Sequence, residues 1–161
     1  MILVTVGSQL GFDRMTGAVA AWARARGRTD LFFQTGDTGI DLRGFASSPL
    51  VSAKELARLH DEATLVVAHA GTGSIIESLM RGTPIVIMPR SAGLHETRND
   101  HQFATARRFA SRAGVLVAWD ERELPAVLDQ AAALGRTRSE GSIGAHAEER
   151  LLAALRAFVA E

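Results

Sequence analysis

Residues 65–77 read Leu-Val-Val-Ala-His-Ala-Gly-Thr-Gly-Ser-Ile-Ile-Glu, an apolar run followed by a glycine-rich turn and then by helix-forming residues. A helix that begins in such a turn directs unpaired backbone N–H groups, and the positive end of its dipole, toward a bound anion. Gly71 and Gly73 are expected to let the backbone approach a ligand closely and to adopt positive φ. The stretch therefore predicts a strand, an anion-binding turn and a helix, which is a unit of an α/β fold.

Three polar side chains accompany this turn. His69 ends the strand, Ser74 stands at the mouth of the helix and Glu77 lies one turn further on. Together they predict a site for a phosphate and a sugar diol on one ligand. Ser74-x-x-Glu77 is also the pattern of a helix capping box, in which the two side chains satisfy the first backbone N–H groups of the helix. The pattern alone leaves both interpretations open.

Other motifs for nucleotides, metals and nucleophilic catalysis fail on inspection. A Walker A loop requires Gly-Lys-Ser/Thr, and the only lysine of the chain is Lys54. A dinucleotide fingerprint that starts at Gly71 would need a small residue where Ile76 stands, which disfavours a nicotinamide-dependent oxidoreductase. His95 and His101 form an incomplete metal-ligand set. The sequence contains no G-x-S-x-G elbow of a serine hydrolase.

Apolar runs alternate with helical patterns along the whole chain, which predicts a doubly wound parallel sheet with helices on both faces. We expect a single domain that spans residues 1–161. The strands are predicted near residues 2–6, 30–34, 48–52, 64–68, 84–88 and 114–118. The helices are predicted near residues 13–26, 54–61, 73–81, 97–112, 122–134 and 144–159, with a loop or hinge at 135–144.

The polar and glycine-rich segments follow the predicted strands. In a doubly wound sheet the ligand binds beyond the carboxyl ends of the strands, where the strand order reverses. The segments that meet this condition are Gly7-Ser8, Thr35-Gly36, His69–Ser74 and Pro89–Gln102. We therefore expect all of them to converge at one edge of the sheet.

Composition narrows the function classes. Lys+Arg and Asp+Glu number 18 each in 161 residues, so the net charge of zero gives no electrostatic indication of a nucleic-acid partner. Cysteine is absent, so disulfides and thiolate metal sites are excluded.

The opening residues Ile2–Val6 are too short for a signal-peptide core and lack a basic flank, which predicts a cytoplasmic protein. No run of 18 apolar residues is present, so membrane contact is expected only through a partner.

The pattern His69-x-Gly71-x-x-Ser74-x-x-Glu77 resembles the donor-binding signature of GT-B nucleotide-sugar glycosyltransferases of the family 28 C-terminal-domain type. Asn99-Asp100-His101-Gln102 is similar to the segment that these enzymes place against the donor sugar. Val4–Gln9 and Phe32–Gly36 extend the resemblance over nearly the whole chain. By its size and by the opening residues Val4–Gln9 and Phe12–Arg14, the chain resembles the short subunits of split transferases, such as the soluble subunit of the dolichol-pathway N-acetylglucosaminyltransferase and a bacterial exopolysaccharide glucuronosyltransferase subunit.

The resemblance implies a Rossmann-like fold that corresponds to the C-terminal half of a GT-B enzyme, and it implies a role for each site residue. Glu77 would accept hydrogen bonds from the ribose hydroxyls, and His101 and Gln102 would bind hydroxyls of the transferred sugar. No metal or other cofactor would be required. The donor pyrophosphate would be bound by Gly7, Ser8, His69, Gly71, Thr72, Gly73 and Ser74.

The same resemblance implies the activity and the partner. The chain would be the UDP-sugar-binding subunit of a two-component glycosyltransferase that acts on a polyprenyl-lipid-linked acceptor in polysaccharide or glycolipid assembly. A membrane-anchored subunit would bind the acceptor, supply the general base and hold the chain at the inner face of the membrane. Association of the chain with itself stays open. The alternative is a non-catalytic, nucleotide-sugar-binding activator of a partner that is already competent.

Overall fold

A six-stranded sheet organises the chain in a computed structural model that describes residues 1–8 and 10–134. All strand pairs are parallel, and the strand order is β3-β2-β1-β4-β5-β6. The strands are β1 (Ile2–Thr5), β2 (Leu31–Gln34), β3 (Ala46–Ser48), β4 (Leu65–His69), β5 (Ile85–Met88) and β6 (Val115–Val117). The helices are α1 (Asp13–Ala25), α2 (Ala53–Glu62), α3 (Thr72–Met80), α4 (His101–Phe109) and α5 (Leu124–Leu134), with a 3-10 turn at Ala92–Leu94.

Apolar residues on both faces of the strands explain why the sheet lies at the centre. Along β1, Ile2 and Val4 join a core cluster with α1 and α5, whereas Leu3 joins a second cluster with α2, α3 and α4. Successive side chains of a strand point to opposite faces, so a strand that is apolar at every position needs cover on both sides. The predicted doubly wound α/β fold is confirmed.

Two elements differ from their predicted positions. Strand β3 lies at Ala46–Ser48 rather than at 48–52, because Pro49 interrupts the run and Ser52 caps α2 by accepting a hydrogen bond from Glu55 N at 3.1 Å. Helix α4 begins at His101 rather than near residue 97, because polar side chains before it bond the backbone locally. One of these bonds runs from Ala92 N to Asp100 Oδ1 at 2.8 Å.

The remaining predicted segments, the loop at 135–144 and the helix at 144–159, lie outside the described residues. Within residues 1–8 and 10–134, each helix is too short or too polar to cross a membrane.

The strand order reverses between β1 and β4. The chain leaves β1 toward β2 on one side, and β4 and β5 extend the sheet on the other side. The connections that follow β1 and β4 therefore diverge and open a crevice at the carboxyl ends of these two strands. The predicted anion-binding segments Gly7-Ser8 and His69–Ser74 follow these two strands.

Candidate functional site

A cleft of about 870 Å³ occupies this crevice. Its walls come from the loops after β1, β4 and β5. Nine of the predicted site residues line it, namely Gly7, Ser8, His69, Gly71, Thr72, Gly73, Ser74, His101 and Gln102. Glu77 is not among the lining residues. The convergence expected from the sequence is therefore present for the predicted pyrophosphate and sugar contacts.

The N-terminus of α3 opens into the cleft without a side-chain cap. Gly71 is the N-cap residue and Thr72 begins the helix, so Ser74 is the third helical residue rather than the cap. The capping-box alternative is wrong, because the helix starts earlier than the Ser-x-x-Glu pattern requires. Among the described residues, the backbone N–H groups of Thr72, Gly73 and Ser74 find no hydrogen-bond acceptor. These three donors are available to an anion.

The expectation of positive φ at Gly71 and Gly73 is also wrong. Gly71 has φ −90°, and Gly73 is not among the described glycines with positive φ. At the cleft, Gly7 has a positive φ of 82°. A different constraint requires glycine at Gly71, because a Cβ there would overlap Nε2 of His69. A Cβ on Gly7 would lie 2.7 Å from Cε1 of the same ring. The two glycines thus make room for the imidazole, whereas a Cβ on Gly73 would meet no atom within 4 Å.

His69 is uncharged at neutral pH. Burial, together with the positive charge of Arg90, lowers its pKa to about 4. The buried Nδ1 has no hydrogen-bond partner among the described residues. A neutral imidazole carries one N–H donor and one acceptor nitrogen. His69 can therefore donate a single hydrogen bond to a ligand in the cleft, but it does not contribute a positive charge.

The first two residues of α4 also line the cleft. Gln102 is buried, and its Oε1 accepts a hydrogen bond from Arg90 N at 3.1 Å. The amide nitrogen of Gln102 makes no hydrogen bond within the described part of the chain, so it remains available as a donor. His101 is exposed, and its Nδ1 contacts Asn99 Oδ1. This part of the cleft therefore presents the amide of Gln102 and the imidazole of His101.

Glu77 lies one turn beyond the cleft wall. Its Oε1 accepts a hydrogen bond from Arg81, which also binds Asp61 at 2.9 Å. The Glu77 side chain is 42% exposed. The second carboxylate oxygen, Oε2, has no partner among the described residues. Glu77 therefore keeps one free carboxylate oxygen, although it does not line the cleft.

Sequence reasoning missed the role of two buried residues that hold the β1–α1 loop. Gln34 donates from Nε2 to Gly7 O at 3.1 Å and to Pro49 O at 2.9 Å, and its Oε1 accepts from Thr5. Arg90 donates to backbone carbonyls of the same loop, including Val6 O at 2.9 Å. These contacts join distant parts of the chain, so no local pattern identifies them. The one feature of the sequence that could have indicated these two residues is their position, because each stands at the carboxyl end of a strand or just beyond it.

The β5–α4 loop is held by an ion pair. Arg14 binds both carboxylate oxygens of Glu96, at 2.8 and 2.7 Å, and also binds Glu121 at 2.9 Å. Glu96 holds the pKa of Arg14 above its ordinary value. Glu96 Oε2 also accepts from Ser91 N at 2.9 Å. Glu96 lines the cleft, but both of its oxygens are occupied by these contacts, so it is a structural carboxylate in this arrangement.

Residues 1–8 and 10–134 contain no group of three or more His, Asp or Glu side chains placed to hold a metal ion. The cleft instead presents backbone N–H groups, the neutral imidazole of His69, the imidazole of His101 and the amide of Gln102, and Arg90 and Arg98 are among its lining residues. This set of donors suits a ligand with several anionic and hydroxyl oxygens.

A parallel sheet in this strand order, with an open helix N-terminus at its switch point, defines a Rossmann-like domain of the kind found in GT-B glycosyltransferases. The chain belongs to the family described as the glycosyltransferase family 28 C-terminal domain, whose model matches residues 1–148.

Two curated proteins with similar sequences support this family assignment. The UDP-N-acetylglucosamine transferase subunit ALG13 of Yarrowia lipolytica is 30% identical over 118 residues, which cover 73% of this chain and 53% of that protein. The same subunit from Eremothecium gossypii is 37% identical over 71 residues, or 44% of this chain and 31% of that protein. The chain thus matches about a third to a half of the length of these curated relatives.

Solved structures share the fold. The solution structure of ALG13 aligns with 96% of this chain and with 93% of its own residues. The TM-score of this alignment is 0.57 and the sequence identity is 19%. The crystal structure of Acinetobacter baumannii MurG covers 99% of this chain with a TM-score of 0.66 and 19% identity, and the chain spans 49% of MurG. The predicted family and fold are confirmed.

Proposed function

We propose that this domain is the UDP-sugar-binding subunit of a two-component glycosyltransferase, which transfers a sugar to a polyprenyl-lipid-linked acceptor in polysaccharide or glycolipid biosynthesis. The observation that carries the proposal is the uncapped N-terminus of α3, which leaves the N–H groups of Thr72, Gly73 and Ser74 free at the cleft. The family assignment supports it, and so do the ALG13 relatives, which are UDP-N-acetylglucosamine transferase subunits.

The first proposed task of the cleft is to bind the diphosphate. When the bond to the sugar breaks, negative charge develops on the nucleoside diphosphate that leaves, and fixed donors stabilise it without reorganisation. The α3 N-terminus, the Gly7-Ser8 loop and the N–H of His69 supply such donors. Because these groups are already aimed at the cleft, we propose that donor binding is independent of metal.

The second task is to position the nucleoside and the sugar. Oε2 of Glu77 would accept from a ribose hydroxyl, since Oε1 is engaged by Arg81. His101 and the amide nitrogen of Gln102 would bind hydroxyls of the transferred sugar. In this arrangement the diphosphate would lie at the α3 side of the cleft and the sugar at the α4 side. The reacting carbon of the sugar would then lie between them.

A partner subunit would complete the cleft. Transfer to an acceptor hydroxyl by inversion requires a general base within hydrogen-bond reach of that hydroxyl, and the carboxylate of Glu96 is already held by Arg14 and Ser91. Large apolar side chains are exposed on the loops at this edge of the sheet, at Leu10 (52%), Leu50 (66%) and Leu94 (57%). A membrane-anchored acceptor-binding subunit that covers these leucines would exclude water and hold the domain at the cytoplasmic face of the membrane.

Reconstitution tests this proposal. The purified chain, a membrane fraction with the candidate partner, and both together are supplied with radiolabelled UDP-sugars, and transfer to lipid is measured. Only the mixture is expected to be active, and Gly73→Ala in the chain should reduce that activity. Robust transfer by the chain alone would refute the two-component proposal. Activity of the partner alone, raised by the chain, would identify a non-catalytic activator instead.

A further inference from the structure

Arg90 occupies an unusual position for an arginine. It lies two residues after the end of β5, it is only 4% exposed, and its guanidinium lies over the ring of Phe12 at 4.6 Å from the centroid. It also lines the cleft. A buried cation is costly unless its N–H groups are hydrogen-bonded and its charge is paired.

Backbone carbonyls, rather than a carboxylate, satisfy this guanidinium. Nη2 donates to Val6 O at 2.9 Å and to Leu10 O at 2.7 Å, and Nη1 donates to Gly11 O at 2.6 Å and to Glu96 O at 3.3 Å. Three of these acceptors belong to the loop between β1 and α1, whose residues Gly7, Ser8 and Leu10 form one wall of the cleft. A single side chain therefore fastens the loops after β1 and β5 to each other.

No carboxylate of the described residues forms an ion pair with Arg90 directly. Among residues 1–8 and 10–134 none lies within ion-pair distance of its guanidinium, and the carboxylate of Glu96, which attracts it at longer range, is paired with Arg14. Buried positive charge is screened weakly, so its field extends into the adjoining cleft. The lowered pKa of His69, to which the charge of Arg90 contributes after burial, is consistent with that field.

We propose that Arg90 is a positioning residue for donor binding: it fixes the β1–α1 loop against the β5–α4 loop and places a buried positive charge, without a direct ion-pair partner among the described residues, beside the proposed diphosphate site. The inference rests on the proposed donor site, and it adds a residue that does not itself need to touch the ligand. The two roles predict different consequences for substitutions that keep or remove the charge.

Two variants and one control separate the roles. Arg90→Lys keeps the charge but replaces the planar fork by one ammonium group, which cannot reach carbonyls on both loops. Arg90→Met removes the charge and all donors while keeping an unbranched apolar stem. Arg107→Met is the control, because Arg107 is an exposed arginine of α4 that does not line the cleft. UDP affinity is measured by calorimetry, and the His69 pKa and the loop amide signals are measured by NMR.

In Arg90→Lys we expect the His69 pKa to stay low, the amide signals of Gly7 and Ser8 to shift, and UDP affinity to fall roughly tenfold, as for one lost hydrogen bond to a charged group. In Arg90→Met the His69 pKa should rise toward the ordinary histidine value, and UDP affinity should fall further. Arg107→Met should match the wild type in all three measurements.

The proposal is overturned if the His69 pKa of Arg90→Met equals that of the wild type, or if both variants bind UDP within about twofold of the wild type. If Arg90→Met does not fold, Arg90→Lys decides alone, and wild-type affinity together with unshifted Gly7 and Ser8 amides overturns the proposal. If the wild type itself fails to bind UDP, the donor-site proposal fails. The pKa and amide comparisons would then still test whether Arg90 holds the loop and charges the cleft.

Discussion

Replacement of Gly73 by alanine separates ligand binding from folding. Gly73 is the second residue of α3, and a Cβ there meets no atom of the protein within 4 Å. Alanine is favoured over glycine in a helix by ~0.5–1 kcal/mol. The fold should therefore be unchanged or slightly stabilised, with a rise in Tm of about 2 °C for a domain of this size.

UDP binding should change in the opposite direction. Gly73 lines the cleft, and its N–H is one of three free donors at the helix N-terminus. A methyl group beside that N–H would push a diphosphate oxygen out of hydrogen-bond range. The loss of one hydrogen bond to a charged group costs ~1.5–3 kcal/mol, which is roughly a 10- to 150-fold loss of UDP affinity.

Calorimetric titration with UDP and thermal unfolding of the same samples test both halves of this prediction. Gly17→Ala serves as the control, because Gly17 is a helical glycine of α1 away from the cleft, and a Cβ there lies 3.3 Å from the flexible end of Ile40. It should alter stability only slightly and leave UDP affinity unchanged. Wild-type UDP affinity in Gly73→Ala would refute the assignment of the α3 N-terminus as the diphosphate site.

Three further predictions concern the ribose, metal and pH. Glu77→Gln should weaken UDP binding by ~1–3 kcal/mol, because a donor would replace an acceptor at a ribose hydroxyl, while stability changes by less than about 1 kcal/mol for an exposed ion pair. Glu55→Gln is the control, because it removes another exposed carboxylate that pairs with an arginine on a helix. If Glu77→Gln lowers Tm but leaves UDP affinity unaltered, the role of Glu77 is limited to its ion pair with Arg81. UDP should bind equally well with and without a chelator in calorimetric titrations, and loss of binding in the chelator would contradict the metal-free site. Acid should destabilise the fold, because the pKa of His69 is 6.5 in the unfolded chain and about 4 in the folded chain. The contribution of neutral His69 to the free energy of unfolding is complete above pH 6.5 and is lost as the pH falls toward 4. At about 1.4 kcal/mol per pKa unit, the loss is up to ~3 kcal/mol. Urea unfolding between pH 7 and 4 measures this loss, and an equal loss in His69→Gln would assign it to other groups, including the buried His60, whose pKa burial also lowers.

The sheet was predictable because its strands are apolar at nearly every position. Runs such as Ile85–Met88 are buried on both faces, and a parallel sheet between two helical layers is the arrangement that buries them. The site loops were predictable for a related reason, since glycine and polar residues follow these strands. The order of the strands then decides that the loops after β1 and β4 meet.

The errors arose where a local pattern competes with packing at longer range. Ser74-x-x-Glu77 fits a capping box, but Gly71 takes the N-cap position, so the helix begins too early for that box to form. Glycine at Gly71 was explained by φ, whereas the ring of His69 leaves no room for a Cβ. The roles of Gln34 and Arg90 depend on partners far away in the chain, and no spacing rule reveals them.

The central claim is that UDP binds with its diphosphate at the N-terminus of α3. The most direct measurement is a titration of the ¹⁵N-labelled chain with UDP, in which every backbone amide is followed by NMR. The account predicts saturable shifts centred on Thr72, Gly73 and Ser74, with smaller shifts at Gly7 and Ser8 across the cleft. No shift at these amides at saturating UDP, or shifts confined to a different surface of the domain, would contradict it.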